Sequence, residues 1–358
     1  MTKILIKPSW QFVSATGEHI DPRLFELLSG INNAGKLTLA AKAAGLSYRR
    51  AWDLISEWSK FFGSPLVIMQ RGKGAALSPL GAKLLWAEQR TGASLFPHME
   101  NIASELNLEI GRVTSERSAT VIRIHASHGY AVEKLPVLMR EQGDAEIDLQ
   151  YMSSVEALKS LGQQHCDMAG FHVPIDPLGA ELWSHYAPWF KGRKLRIIRL
   201  VTRTQGLIVA KGNPRKIRSF ADLTKPNIRF VNRQRGSGTR ILVDSIIKRD
   251  HINIAKIHGY DTGEFTHAAV AAFVASGMAD VGMGIEPAAR QFKIDFIPLI
   301  KERYMLACAP ATLKQPAVKQ LISLVKTDHF RLLAEPEAGY AMDEPGTIVE
   351  PAQLFPWA

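Results

Sequence analysis

Cysteine is scarce. The 358-residue chain has two, Cys166 and Cys308, far apart and in apolar surroundings. That excludes a disulfide scaffold and suits a buried, reduced pair in a cytoplasmic protein. No Cys/His spacing fits zinc, and no metal is expected. Long apolar runs are missing too. None approaches the roughly 20 residues of a membrane span. The opening stretch, "MTKILIKPSWQFVSATGEHI", lacks the continuous apolar core of a signal peptide. Both features argue against a membrane protein and against an exported binding protein. Acidic residues are in deficit: 34 Asp and Glu face 44 Lys and Arg, for a net charge of +10. A basic balance suits a polyanionic partner such as nucleic acid. What remains is ordinary for globular protein, 46% hydrophobic and 22% charged, and long enough for two or three domains.

Residues 1–115 form one region. "ILIKPSWQFV" and "GEHI" are expected to pair as a short hairpin. Leu24, Leu27, Leu28 and Ile31 recur at helical spacing after Pro22, which suits a first helical turn. In "LTLAAKAAGLSYRRAWDLISEWSKFFG", Thr38 is expected to cap a short Ala-rich helix that Gly45 ends. Ser47 is expected to cap the next helix, whose apolar stripe is Ala51, Leu54, Ile55, Trp58, Phe61 and Phe62. Helix, tight turn, helix puts a second helix into a major groove. Its first turn carries Tyr48, Arg49 and Arg50. Two short strands around "RGKG" would make a basic wing with Arg71 and Lys73. Residues 36–90 hold nine Lys or Arg against three acids, a surplus placed where phosphate would lie. The plainer alternative is a three-helix bundle with a solvated basic face. The order of turn, double arginine and Gly-rich wing favours double-stranded DNA, with Thr38, Ser47, Tyr48, Arg49, Arg50, Arg71 and Lys73 as contacts. Beyond it, Leu80, Leu84, Ala87, Thr91, Leu95, Met99, Ile102 and Leu106 keep close to a heptad. They predict a dimer helix, interrupted at Gly92 and Pro97.

"TLAAKAAGLSYRRAWDLI", the wing and "LSPLGAKLL" resemble the N-terminal winged-helix domain of ModE-type molybdate-responsive regulators, and more distantly LysR-type regulators. The resemblance covers the first third of the chain. It implies a dimeric winged helix-turn-helix reading an inverted repeat. ModE-type proteins continue into small β-barrel oxyanion domains, and this chain does not.

From about residue 118 short apolar strands alternate with helices. Strands are expected at "TVIRIHAS", "AEIDLQYMSS", "CDMAGFHV", "IRFVNRQ", "KIHGYD" and "ADVGMGI". Helices are expected at 130–141, 154–164, 238–249, 267–278 and 286–292. The stretch 196–212 is read as a crossing between two α/β lobes, and "RYMLACAP" as the return. From "HASHGYAVEKLP" to "ERYMLA" the chain resembles the periplasmic-binding-protein-like domain, a two-lobe (type II) α/β architecture found fused to winged helices and to molybdenum-cofactor enzymes. The resemblance runs through nearly all of 120–345. It implies a ligand between the lobes, at strand ends and helix N-termini, as in open α/β sheets generally.

"NRQRGSGTR" gives that implication a physical basis. Gly236 and Gly238 permit close approach and positive φ. N–H groups at the start of the following helix point out unpaired, and the helix dipole favours negative charge. Ser237 and Thr239 offer hydroxyl donors. Arg233, Arg235 or Arg240 offers charge, with one or two paired to acids such as Asp244. No Walker-type Gly-Lys-Ser/Thr is present. Ser127 and His128, Ser153 and Ser154, His172, and Thr266 with His267 stand at other strand-to-helix turns. Each alone reads as a cap. Together they read as oxyanion donors, the histidines binding better when protonated. His125, inside a strand, reads as structural. No nucleophile–base pair is evident, Glu286 being the single acid of interest, so no enzyme and no cofactor are expected.

The expected architecture is a winged helix-turn-helix at 1–80, a linker and dimerisation helix at 81–115, and a two-lobe ligand domain at 116–358. The expected function is a cytoplasmic one-component transcription regulator, a homodimer or dimer of dimers, sensing a small anion. The resemblances imply molybdate or tungstate. A small carboxylate such as formate, or a molybdenum-cofactor-related molecule, suits the same donors. An enzyme or binding protein of molybdenum-cofactor metabolism is the other alternative.

Overall fold

The computed structural model describes residues 4–10, 12, 17, 21–70, 74–114, 120–142, 145–335 and 337–355. The chain divides into two compact units, Lys7–Ala93 and Ser94–Ala358 with the first few residues.

In the first unit, helix α1 (Arg23–Ala34) buries Leu24, Leu27, Leu28 and Ile31. Helix α2 (Leu37–Ala43) ends at Gly45, whose φ of 64° lets Leu46 N–H donate to Ala41 O at 2.9 Å. Helix α3 (Tyr48–Phe61) begins at Ser47, whose hydroxyl accepts from Arg50 N–H at 3.2 Å. Its buried stripe of Ala51, Leu54, Ile55 and Trp58 follows the expected period. Thr38 is not a cap: α2 starts at Leu37 from Lys36 with no side-chain cap, and Thr38 is exposed within the first turn. Strands β1 (Val67–Gln70) and β2 (Gly74–Leu77) pair antiparallel. Arg71 and Lys73 lie outside the described residues. So does most of the segment 11–20, and 4–10 and 12 form no strand.

Helix α4 (Pro79–Thr114) is one uninterrupted helix with Pro97 inside it. The expected break is absent. Proline costs the helix one hydrogen bond, but side-chain bonds hold α4 on both sides of it. Ser94 Oγ donates to Glu264 (3.0 Å), Asn101 bonds both Tyr151 N–H (2.7 Å) and Tyr151 O (3.0 Å), and Ser104 Oγ donates to Asp148 (2.8 Å). Leu84 is buried and Leu80 packs with the first unit's core, so they leave the heptad stripe. Leu95, Ile102, Leu106 and Val113 are exposed along it.

The second unit runs β3 (Thr120–Ala126), α5 (Leu135–Gln142), β4 (Ala145–Tyr151), α6 (Ser154–Gly162), β5 (Met168–Pro174), α7 (Leu178–Phe190), β6 (Arg196–Val209), β7 (Phe230–Arg233), α8 (Gly238–Arg249), β8 (Gly263–Glu264), α9 (His267–Ala275), β9 (Val281–Ile285), α10 (Glu286–Gln291) and β10 (Asp295–Cys308). Helices α11 (Pro316–Val325) and α12 (Asp328–Ala334) and short strands β11 (Tyr340–Met342) and β12 (Ile348–Val349) close it. The sheet order is β4-β3-β5-β10-β6-β9-β7-β8. β4-β3-β5 and β9-β7-β8 are parallel trios. Between them the 14-residue strands β6 and β10 run antiparallel to each other. Two α/β lobes thus share two crossing strands. "KIHGYD" is not a strand. It holds one bridge, Arg229 to His258, then a turn in which Thr262 N–H donates to Gly259 O at 2.9 Å. The strand itself falls at Gly263–Glu264. Cys166 and Cys308 are buried and unbridged.

Candidate anion site

The starts of α6, α8 and α9 are each capped by a Ser or Thr hydroxyl, Ser153, Ser237 and Thr266 in turn. Each cap accepts the N–H of the third helical residue, Glu156 (3.2 Å), Arg240 (3.1 Å) or Ala269 (2.9 Å). That leaves the first two N–H groups of each helix. Those of Ser154, Val155, Gly238, Thr239, His267 and Ala268 have no partner among the described residues. One pocket is lined by parts of both lobes: Ser127, His128, Met152, Ser153 and His172 from one, and Arg233, Gln234, Ser237, Gly238, Thr239, Phe265 and His267 from the other.

Most of the expected residues therefore come together. Four do not line the pocket. Ser154 is fully buried behind it. Thr266 holds its helix cap. Gly236, at φ 81°, forms the turn itself, and a Cβ there would approach Ser153 Oγ only to 3.9 Å. Arg235 points outward, 85% exposed, and pairs with Asp261. The expected pairing of an arginine with Asp244 is made by Arg240, at 3.1 Å.

The Ser237 hydroxyl differs from expectation. It donates to Gln234 O at 3.0 Å while accepting from Arg240 N–H, so its proton is spent on the turn. The free donors here are the N–H groups of Gly238 and Thr239. Ser237→Ala is then expected to cost about 1 kcal/mol in urea unfolding, as a lost N-cap does. Anion affinity should fall less than tenfold; a larger fall would return the hydroxyl to the ligand.

Arg233 is buried and donates to Glu264 O (3.2 Å), Phe265 O (2.7 Å) and His267 Nδ1 (3.0 Å). Burial, then the nearby Arg203 charge, lowers its pKa to about 9, which leaves it charged at neutral pH. His267 accepts at Nδ1, which assigns its proton to Nε2. Burial, then Arg233 and Arg203, pushes its pKa well below the usual histidine value. Burial also lowers His172, although Glu302 opposes it. Both shifts oppose protonation, the condition under which the sequence reading has these imidazoles bind an anion better. His128 sits among Phe96, Tyr130 and Tyr151, with Nε2 3.6 Å from Glu133.

Sequence reasoning missed the layer beneath. Arg203 on β6 and Glu302 on β10 are cross-strand partners, both fully buried, with Arg203 Nε donating at 2.5 Å. Glu302 also accepts from His172 Nδ1 (2.9 Å) and Gln205 Nε2 (2.8 Å). Burial alone would raise its carboxyl, but His172 and Arg203 win and hold it at about 2. His125 bonds Ser160 Oγ, a structural role as expected. Among the described residues no group of three His, Cys, Asp or Glu is set to hold a metal, and no helix is long and apolar enough to cross a membrane.

The family model of the PBP superfamily domain matches residues 136–326, more than half of the chain. The chain belongs to the PBP superfamily. Curated relatives of this PBP-superfamily chain include the uncharacterized protein YvgK of Bacillus subtilis, 38% identical over 158 residues, which is 43% of this chain and 50% of that protein. The molybdenum-pterin-binding protein MopB of Rhodobacter capsulatus is 29% identical over 120 residues, 30% of this chain and 44% of that one. The transcriptional dual regulator ModE of Escherichia coli is 37% identical over 71 residues, 18% of this chain and 26% of that one. The chain thus spans half the length of YvgK and less of the other two.

Proposed function

We propose that this chain is a one-component transcription regulator. In this reading the first unit is a winged helix-turn-helix that binds double-stranded DNA, and the pocket of the second unit binds a small oxyanion. The observation that carries it is the meeting of unpaired N–H groups from capped helix starts with buried Arg233 around one pocket. Such donors serve an acceptor-only ligand without a competing acid. Molybdate or tungstate is favoured, because MopB and ModE are named for molybdenum-pterin binding and for transcription regulation. Thermal melts of the full chain with molybdate, tungstate, sulfate, phosphate and formate test it. At a hundred times Kd a ligand stabilises the folded state by about 2.7 kcal/mol. No shift with any of the five would overturn the reading.

The first turn of α3 exposes Tyr48, Arg49 and Arg50 behind the Ser47 cap, as a reading helix requires. Arg50→Ala is expected to cost about 1–3 kcal/mol of operator binding and to relax base preference. Fluorescence anisotropy on sites selected from random DNA by the wild-type protein measures it. Unchanged affinity and preference would take α3 out of the groove.

The exposed stripe Leu95, Ile102, Leu106 and Val113 is assigned to a second copy of the chain, giving a homodimer with half-sites about 34 Å apart. Light scattering that finds a monomer, with and without operator, would contradict it. The bonds of α4 to Glu264 in one lobe, and to Tyr151 and Asp148 in the other, offer a route by which lobe closure moves that helix.

A further inference from the structure

Two buried histidines of the pocket are held by the same nitrogen in opposite roles. His267 Nδ1 accepts from Arg233, which leaves Nε2–H as a donor. His172 is the reverse. Its Nδ1 stands 2.9 Å from Glu302 Oε2, which also accepts from Gln205 Nε2. An ionised carboxylate only accepts, so Nδ1 carries the proton and donates. In the neutral ring Nε2 is then a bare lone pair. Tyr304, its partner in the register of β5 against β10, stacks on the ring. With Nδ1 committed to Glu302, the edge that His172 brings to the pocket wall is Cε1 and Nε2. That edge abuts Gly238, where a Cβ would stand 2.5 Å from Cε1 and 2.8 Å from Nε2. Nε2 has no hydrogen-bond partner among the described residues, and His172 is 3% exposed. It is an unmet acceptor among the donors of the helix starts. The charged and titratable groups around the ring are Glu302 and Tyr304 on β10, Arg203 on β6, Tyr186 on α7, Arg233 on β7 and His267 on α9. The start of α8 brings Gly238 and Thr239, which do not titrate. Burial lowers the pKa of His172, Glu302 opposes it, and Arg203 and Arg233 add to the lowering. Burial pushes the Tyr186 and Tyr304 phenols up, away from neutrality. The free ring therefore resists a proton, and an anion beside Nε2 reverses that balance.

We propose, resting on the reading of the pocket as an anion site, that His172 couples binding to a proton. A fully deprotonated oxyanion enters together with one proton, which passes from solvent to Nε2 and is donated to a ligand oxygen. Without that proton, a ligand lone pair would face the lone pair of Nε2. With it, the repulsion becomes a charge-assisted hydrogen bond. Glu302 holds the ring in place and keeps Nδ1–H in both states. Anion and proton then favour each other by the same factor. Anion affinity falls as pH rises, by about tenfold per pH unit once the free ring is neutral. The helix-start N–H groups do not titrate, and Arg233, at about 9, stays charged near neutral pH, so neither gives that slope.

The test is calorimetric titration of the full chain with sodium molybdate and with sodium sulfate, in Tris and in triethanolamine buffers at one pH near neutrality. Proton uptake draws on the buffer, so the observed enthalpy should follow the buffer's ionisation enthalpy with a slope of about one proton per anion. Affinity should fall about tenfold between about pH 7 and pH 8. His172→Asn keeps an amide N–H for Glu302 and puts nothing in the place of Nε2. It should abolish the buffer slope, flatten the pH dependence and weaken binding by at least about tenfold at the lower pH, the worth of one hydrogen bond to a charged group. A folded variant that still takes up the proton removes the role from His172. If the variant fails to fold by circular dichroism, nitrogen-15 spectra of the histidine-labelled wild type decide. Molybdate should convert one imidazole, protonated on Nδ1 when free, to the doubly protonated form, and no such change overturns the proposal. A wild type that binds either anion without proton uptake overturns it and leaves the anion site standing. A wild type that binds neither takes down the anion reading itself, and this inference with it.

Discussion

Glu302→Gln is expected to destabilise the second unit by about 3–5 kcal/mol, the cost of stranding a buried charge. Glu302 has no exposed surface and takes three donors on two oxygens: Arg203 Nε on Oε1, and His172 Nδ1 with Gln205 Nε2 on Oε2. An amide keeps one acceptor and turns the other into a donor that faces donors. It also leaves the buried Arg203 guanidinium without its counter-charge. The pH dependence has a definite sign. The Glu302 carboxyl is held at about 2, below its ordinary value. Its contribution is therefore fully present above the ordinary carboxylate range and is lost as pH falls towards about 2. Wild-type stability should decline through that acid window more steeply than that of the variant, which lacks the group. Urea unfolding at neutral pH and along an acid series measures both. A neutral-pH loss below about 1 kcal/mol, the scale of one ordinary hydrogen bond, would mean that the charge of Arg203 is met elsewhere.

The residues found at the pocket and those missed beneath it differ in how local their signals are. Ser153, Ser237 and Thr266 could be read because a helix cap is a short-range pattern: a hydroxyl at a strand end followed by an apolar helix. The stripes of α1 and α3 were legible for the same reason, since a helical period is written within a dozen residues. Arg203 and Glu302 were not. Arg203 is one of three arginines in its β run and Glu302 stands between Lys301 and Arg303, so nothing local marks either, and only the register of β6 against β10 sets them opposite each other, 99 residues apart.

Local rules failed where tertiary bonds outweighed them. Pro97 reads as a helix break, yet Ser94, Asn101 and Ser104 anchor α4 on either side of it. Thr38 reads as a cap, yet the cap position falls two residues earlier, at Lys36. The protonation of His172 and His267 depends on how deeply each is buried and on which arginines stand nearby, neither of which the sequence states. The helix α7 was missed because Leu182, Trp183, Tyr186 and Phe190 bury much of its surface, leaving no clean two-faced pattern.

Gly238→Ala is expected to abolish the anion response, through packing and not through backbone strain. The sequence suggests that both glycines of the turn adopt positive φ, but only Gly236 does, at 81°. Gly238 is the first residue of α8. Helix propensity alone would favour alanine over glycine by about 1 kcal/mol. Sterics oppose this. A Cβ at Gly238 would stand 2.5 Å from His172 Cε1, 2.8 Å from its Nε2 and 3.0 Å from the Tyr186 hydroxyl. The ring cannot retreat, because Glu302 holds its Nδ1, Tyr304 stacks on it, and the residue is 3% exposed. The turn must move, and overpacking of this kind costs about 1–3 kcal/mol, enough to outweigh the propensity gain. The Gly238 and Thr239 N–H groups then leave their line to the ligand, and affinity should fall by about a hundredfold, the worth of two hydrogen bonds to a charged group. Gly236→Ala is the control. It places a side chain in the left-handed region at about 1–2 kcal/mol, with its nearest neighbour, Ser153 Oγ, at 3.9 Å. That variant should lose stability and keep most of its affinity. Gly238→Val should exceed Gly238→Ala in both losses. Titration of each variant with the anion that stabilises the wild type, alongside urea unfolding, separates the two effects. Wild-type affinity in Gly238→Ala would mean that the start of α8 does not touch the ligand.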